Sequence, residues 1–191
     1  MHRMGNFYTN YTLRGPSQEA VAEALVGRSA FVAPAFNGSV VVYDEQSDEQ
    51  DEDAIIELAS WLSREFRCPV LSVLNHDDDI LWYQLYLNGE LTDEYDSCPD
   101  YFDPDAEPSP PAGGNAQILC DAFGATNVAE VELVLRTSGL DEDGYTFEVE
   151  RHEELAELLG LPPFSVGAGY NYIAQGDLPD GLEEEDFLIV R

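Results

Sequence analysis

Two Asn-Gly dipeptides constrain this chain more than any other feature. Asn37-Gly38 lies between "SAFVAPAF" and "SVVVYD", and Asn88-Gly89 between "ILWYQLYL" and "ELTDEY". Asn and Gly accept the positive φ angles of a two-residue hairpin turn, and the flanking runs are β-branched, aromatic and period-2. Each dipeptide therefore predicts two antiparallel strands and fixes their register. For the second hairpin a plain two-residue loop pairs Trp82 with Tyr95, Leu81 with Asp96 and Asp79 with Cys98.

Helical periods alternate with these strands. "NFYTNYTL" at residues 6–13 reads as a strand, and a Pro start, acidic first turn and closing Gly predict a short helix over 17–26. "SDEQDEDAIIELASWLSREF" reads as one helix, with Ser47 and Gln50 in capping-box spacing and Ile55, Leu58, Ala59, Leu62 and Phe66 along one face. "PVLSVLN" supplies the next strand. The order β-α-β-β-α-β resembles the split βαβ, or ferredoxin-like, plan, in which two helices cover one face of an antiparallel sheet. The expected class is α+β, with an extra hairpin appended to that plan.

Residues 1–97 form the expected sheet lobe. Residues 98–114, "CPDYFDPDAEPSPPAGG", hold five prolines and continue neither neighbour, so they read as a linker or strap. Residues 115–191 read as a mainly helical lobe, either separate or packed on the first as one domain. Its helices are "NAQILCDAFG", "TNVAEVELVLRTSG" and "ERHEELAELLG", with "YTFEV" as one further strand and His152 on an exposed, Glu-rich helix face.

The charge balance limits partners. All eight basic residues are arginine, there is no lysine, and 39 acids bring the net charge to −31. The absence of lysine removes Schiff-base chemistry and the phosphate-binding lysine of a P-loop, and the field repels polyanions. The segment "HEELAELLGLPPFSVGAGYNYIAQGDLP" resembles the helix-turn-helix of excisionase-like and MerR-like DNA-binding domains, but residues 164–179 contain no cation to meet a phosphate. No nucleic acid and no membrane partner is expected. Cys68, Cys98 and Cys120 lack any paired spacing, so reduced thiols and a cytoplasmic location are expected. No GxSxG elbow accompanies the histidines, so no catalytic triad is expected.

The most chemically loaded stretch is "LNHDDDILWYQLYLNGELTDEYDSCPDYFDPD", residues 74–105. The hairpin register brings the turn at 76–79 beside the segment at 96–100. Carboxylates gathered in this way repel one another unless a cation sits among them. Asp77, Asp78, Asp79, Asp96 and Asp100 are thus candidate ligands for Ca²⁺ or Mg²⁺, hard ions that prefer oxygen, with His76 and Cys98 peripheral. His76, Trp82, Tyr83, Tyr95, Tyr101 and Phe102 are candidate anchors of an interaction surface. Three functions stay open. The first is a non-enzymatic, inhibitor- or immunity-like module that binds a basic protein without any cofactor, the second a divalent-cation-dependent enzyme, and the third an acidic protein adapted to salt.

Overall fold

A computed structural model describes residues 5–191. Its strands are β1 (Phe7–Arg14), β2 (Ala30–Val32), β3 (Ser39–Asp44), β4 (Pro69–His76), β5 (Ile80–Leu87), β6 (Glu90–Asp96), β7 (Ala112–Gly113) and β8 (Leu188–Val190). They form one sheet in the order β7-β6-β5-β4-β1-β3-β2-β8, antiparallel throughout. The helices are α1 (Gln18–Ala24), α2 (Glu45–Asp48), α3 (Glu52–Phe66), α4 (Ala116–Phe123), α5 (Val128–Arg136), α6 (Glu148–Leu159) and α7 (Tyr170–Ala174). The protein is α+β, as the alternating periods predict. Among the described residues no helix is long and apolar enough to cross a membrane.

Both Asn-Gly pairs turn as expected, with φ of 49° and 77° at Asn37 and Gly38, and 52° and 84° at Asn88 and Gly89. The second register nevertheless departs from the simple hairpin. Leu87 pairs with Glu90 and Tyr86 with Leu91, but a bulge then sets Leu85 opposite Asp93 and leaves Thr92 over. Beyond it every pair slips by one, so Tyr83 faces Tyr95 and Trp82 faces Asp96. Thr92 Oγ1 donates to the Leu85 carbonyl at 3.0 Å. The slip also stacks Tyr83 on Tyr95 at 5.2 Å in the core, and a buried aromatic pair outweighs an ordinary ladder bond.

The helix expected from residue 47 onward is divided. Asp44 caps α2, accepting from Ser47 N at 3.0 Å, and Asp51 caps α3, accepting from Ala54 N at 2.9 Å. Between them Gln50 adopts φ 60°. Aspartate is as good an N-cap as serine and offers a full charge to the helix dipole, so two caps seven residues apart define two helices. Ser47 is buried instead, bonded to Asp44 and to the Tyr11 hydroxyl.

The sheet is covered on both faces. On one, α1 and α3 lay Val21, Leu25, Ile55, Leu58 and Leu62 over Tyr11, Leu13, Val40, Val42 and Val70. On the other, α4, α5 and α6 lay Leu119, Phe123, Val131, Leu135, Leu155 and Leu159 over Tyr8, Leu71, Val73, Leu81, Tyr83, Leu85 and Tyr95. Phe164, Ile173 and Phe187 complete that face over Val41 and Tyr43. Residues 115–191 thus pack on the sheet of residues 1–97 and add β8 to it, while the strap adds β7.

The inward face of α6 is polar, which corrects two expectations. "YTFEV" is not a strand, because α6 begins at Glu148, whose N–H donates to the Asp78 carbonyl at 2.8 Å. His152 is not exposed: Glu148, Arg151, His152, Leu155 and Leu159 lie on one helical face, and that face meets the sheet. Arg151 is fully buried, forked on Glu148 at 2.7 and 3.1 Å, bonded to the Val134 carbonyl at 2.5 Å and stacked 4.4 Å from the Tyr145 ring. Burial raises the Glu148 pKa even though the guanidinium opposes it. His152 Nδ1 lies 2.7 Å from the Tyr8 hydroxyl, and burial pushes the imidazole pKa down to about 3.

Removing one member of a buried pair strands the other charge. Arg151→Ala is expected to lower stability by about 3–5 kcal/mol, and the pair Glu148→Leu with Arg151→Met to recover most of it. Urea unfolding of the three proteins at neutral pH checks this. For His152 the unfolded ring titrates near 6.5 and the folded one far lower, so the unfolded chain binds more protons between those values and stability falls on acidification. By pH 5 this amounts to about 2 kcal/mol relative to neutral pH. A difference in urea midpoints between wild type and His152→Gln that stays constant from pH 7 to 5 would contradict it.

Candidate functional site

The site is assembled from the β4–β5 turn, the strap after β6 and the junction between α2 and α3. At the turn, Asp79 N donates to the His76 carbonyl at 3.0 Å, with φ of 56° at Asp77 and 59° at Asp78. Aspartate tolerates this left-handed backbone because its short side chain bonds locally. The three aspartates then diverge. Asp77 is exposed. Asp78 is buried, and its Oδ2 accepts from the side chain and backbone N–H of Asn6 at 2.8 and 3.2 Å. Asp79 accepts from the Tyr101 hydroxyl at 3.0 Å. Gly5 is required beside them, since a Cβ there would overlap the Asp77 carbonyl.

Tyr101 belongs to the strap, so the turn and the post-β6 segment are neighbours. Asp96 Oδ1 accepts from Cys98 N at 2.9 Å, closing a local turn. Asp100 accepts from the Ser109 hydroxyl. His76 meets Phe7, Phe102 and Tyr101 edge-on, at centroid separations of 4.9, 5.4 and 6.0 Å. Its Nδ1 lies 2.7 Å from Gln50 Oε1, while Gln50 Nε2 donates to the Asn75 carbonyl at 2.8 Å. The amide can donate to that carbonyl only through its nitrogen, so Oε1 accepts and His76 Nδ1 carries the hydrogen. The strained Gln50 backbone at the helix junction is what aims this amide.

Beneath His76 lies a cavity of about 430 Å³. Leu74, Ile80 and Trp82 form its floor, His76, Pro99 and Phe102 its walls, and Glu49, Glu52 and Asp96 its acidic groups. No arginine lines it among the described residues. The Asp96 pKa is raised first by burial and then by Asp100 and Glu52, which marks a carboxylate held among like charges. Cys98 divides this cavity from a smaller one of about 270 Å³ that Asp78, Asp79, Ser97 and Glu148 line. Burial, Asp96 and Glu148 raise the Cys98 pKa, so it stays a thiol and is a poor nucleophile.

Of the expected anchors, His76 and Trp82 line the cavity half-buried, Phe102 lines it exposed, and Tyr101 is exposed beside it, edge-on to His76 and Phe102. Tyr83 and Tyr95 are core residues at 2% and 1% exposure: Tyr83 shares the buried face of Leu81 and Leu85 on β5, and the bulge at Thr92 brings Tyr95 onto that same face. The five aspartates are not drawn into one shell. Each is committed to a different local contact or to solvent, and among the described residues no group of three or more His, Cys, Asp and Glu is arranged to hold a metal ion. Glu49, Gln50, Glu52, Leu74 and Ile80 escape sequence reasoning. The spacing of Asp44 and Asp51 as successive caps is the signal that places Glu49 and Gln50 in a corner.

The aspartates should separate in mutagenesis. Asp78→Ala is expected to cost about 2–3 kcal/mol, from lost buried hydrogen bonds and a left-handed alanine, while Asp77→Asn and Asp79→Asn stay within about 0.5 kcal/mol of wild type. Equal urea midpoints for all three variants would show that Asp78 is not the anchor of the turn.

Comparison with protein-family models, with curated proteins and with solved structures found no match, so the site is interpreted from its own chemistry.

Proposed function

We propose that this protein is a non-enzymatic interaction module that captures a basic protein, in the manner of an inhibitor or immunity protein, by taking an arginine or lysine side chain into the cavity floored by Trp82. The observation that carries this reading is the cavity's lining: aromatic faces from Trp82, Phe102 and His76 beside Glu49, Glu52 and Asp96, with no arginine in the lining among the described residues. An aromatic wall attracts a cation through its quadrupole, an apolar floor accepts the alkyl stem, and carboxylates complete the charge. Arginine fits best, since its planar guanidinium stacks on the ring and forks onto a carboxylate at once. The net charge of −31 would speed the encounter with a basic surface.

Two features support the accompanying reading of the scaffold. The strand order β4-β1-β3-β2, with α1 and α3 on one face, agrees with the split βαβ plan, which we read as extended by β5 and β6 on one side and by β8 on the other. The three free cysteines agree with a reducing, cytoplasmic setting.

Calorimetric titration with a short arginine-containing basic peptide, at low and at physiological salt, tests the function. Trp82→Ala is expected to weaken binding about tenfold, Asp96→Asn to weaken it less, and lysine in place of arginine to lower the affinity of wild type. Binding should fade on acidification as Asp96, whose pKa burial raises, loses its charge. Equal affinity in all variants, changing only with salt, would mean diffuse attraction and would overturn the proposal.

A further inference from the structure

The opposite end of the sheet is open. β8 is the outermost strand beyond β2, and its residues Leu188, Ile189 and Val190 include neither a charge nor a proline to blunt the edge. The pleat fixes which backbone groups face outward. Ala33 N donates to the Val41 carbonyl and Glu45 N to the Ser29 carbonyl, so the odd-numbered residues of β2 are spent on β3. Its even-numbered residues, Ala30 and Val32, therefore face β8, where their partners are Val190 and Leu188. Ile189 lies between these and directs its N–H and C=O away from the sheet. Its side chain is 49% exposed.

Beside this edge is a hollow of about 570 Å³, floored by Phe31, Tyr170, Ile173, Phe187 and Ile189. Glu183, Glu184 and Glu185 stand along a shallow extension of it, and Arg191 is the cation on its wall among the described residues. An open donor and acceptor and an apolar hollow on the adjoining face are the two elements that β-strand addition uses, and the acidic border adds complementarity to a basic strand. We infer that β8 is a docking edge for an extended, basic segment of another protein, which adds a ninth strand, places an apolar side chain in the hollow and sets arginine or lysine against Glu183–Glu185. Charge selects this occupant over a second copy of the chain, since two copies of −31 repel. The inference rests on the β8 edge and not on the Trp82 cavity, which lies toward the other end of the strand order.

The test is fluorescence anisotropy with a labelled peptide of alternating valine and arginine, made on the full chain carrying Trp82→Ala so that the other cavity does not contribute. Ile189→Pro removes only the outward N–H, a position where an edge strand tolerates proline. Ile189→Asp blocks the hollow without touching the backbone. Each is expected to weaken binding at least about tenfold, whereas Ile189→Val stays within about twofold. Glu184→Gln with Glu185→Gln should weaken binding and flatten its salt dependence. In the bound state the Ile189 amide should gain protection from hydrogen exchange. Unchanged binding in both Ile189→Pro and Ile189→Asp, an amide that stays unprotected, or loss of all binding in Trp82→Ala would each overturn the proposal. So would a dimer in light scattering that Ile189→Pro dissolves, because the occupant would then be a second copy.

Discussion

A strand buried on both faces must be covered twice, and β1 imposes that requirement here. From Tyr8 to Leu13 every residue is buried, with Tyr11 and Leu13 turned to one face and Tyr8 to the other. Each such side chain left in water would forfeit about 1.5–3 kcal/mol. The segment up to residue 66 supplies helices to one face only, because a helix joining two strands of this sheet returns on the side it left. The second cover comes from α4 to α7, which explains why about half of the chain follows the last long strand and why that part is mainly helical. It also explains the strap. Residues 98–114 carry the chain from the end of β6 to the uncovered face, and β7 holds them to the β6 edge on the way.

The two covers differ in kind. Between α3 and the sheet the contact is apolar, whereas α6 brings Glu148, Arg151 and His152 inward. Apolar contact has no direction and constrains a helix weakly, while the Tyr8–His152 hydrogen bond and the Glu148 N–H on the Asp78 carbonyl fix rotation and height. The same helix begins on the Asp78 carbonyl, and Asp78 in turn holds Asn6. Turn, first strand and second cover are therefore tied at one residue. This is what keeps His76 and Asp79 facing the strap, so the geometry of the cavity depends on polar contacts on the far side of the sheet.

Regular features were legible in the sequence, and features decided by competition were not. Both Asn-Gly turns, the face of α3 and the strap follow from local chemistry that tertiary contacts leave alone. The bulge at Thr92 does not, because a threonine hydroxyl and a tyrosine stack jointly outbid a ladder bond, and neither is visible in an alternating pattern. That one slip sets Tyr95 on the core face that Tyr83 already occupies. His152 was misplaced for a related reason: a Glu-rich helix reads as exposed until Arg151 is seen to neutralise the one glutamate that turns inward. β7 and β8, at two and three residues, are too short to show a period. The acidic segments were rightly brought together by hairpin geometry, yet proximity did not predict direction, and the aspartates face apart.

Charge explains reach, and shape explains choice. Three of the eight arginines are committed to acids within the fold, Arg28 to Asp44, Arg136 to Glu132 and Arg151 to Glu148. The remaining field is strong at a distance in dilute buffer but decays over about 8 Å at physiological ionic strength. It cannot by itself tell one basic protein from another. Discrimination requires groups that act within contact distance, and an indole face beside the half-buried Asp96 and the exposed Glu49 and Glu52 is such a group. Under the proposed capture, a cation that enters would desolvate as it meets Asp96, where attraction is less screened than at the exposed acids, so the largest gain would fall on a side chain whose planar shape fits the cavity.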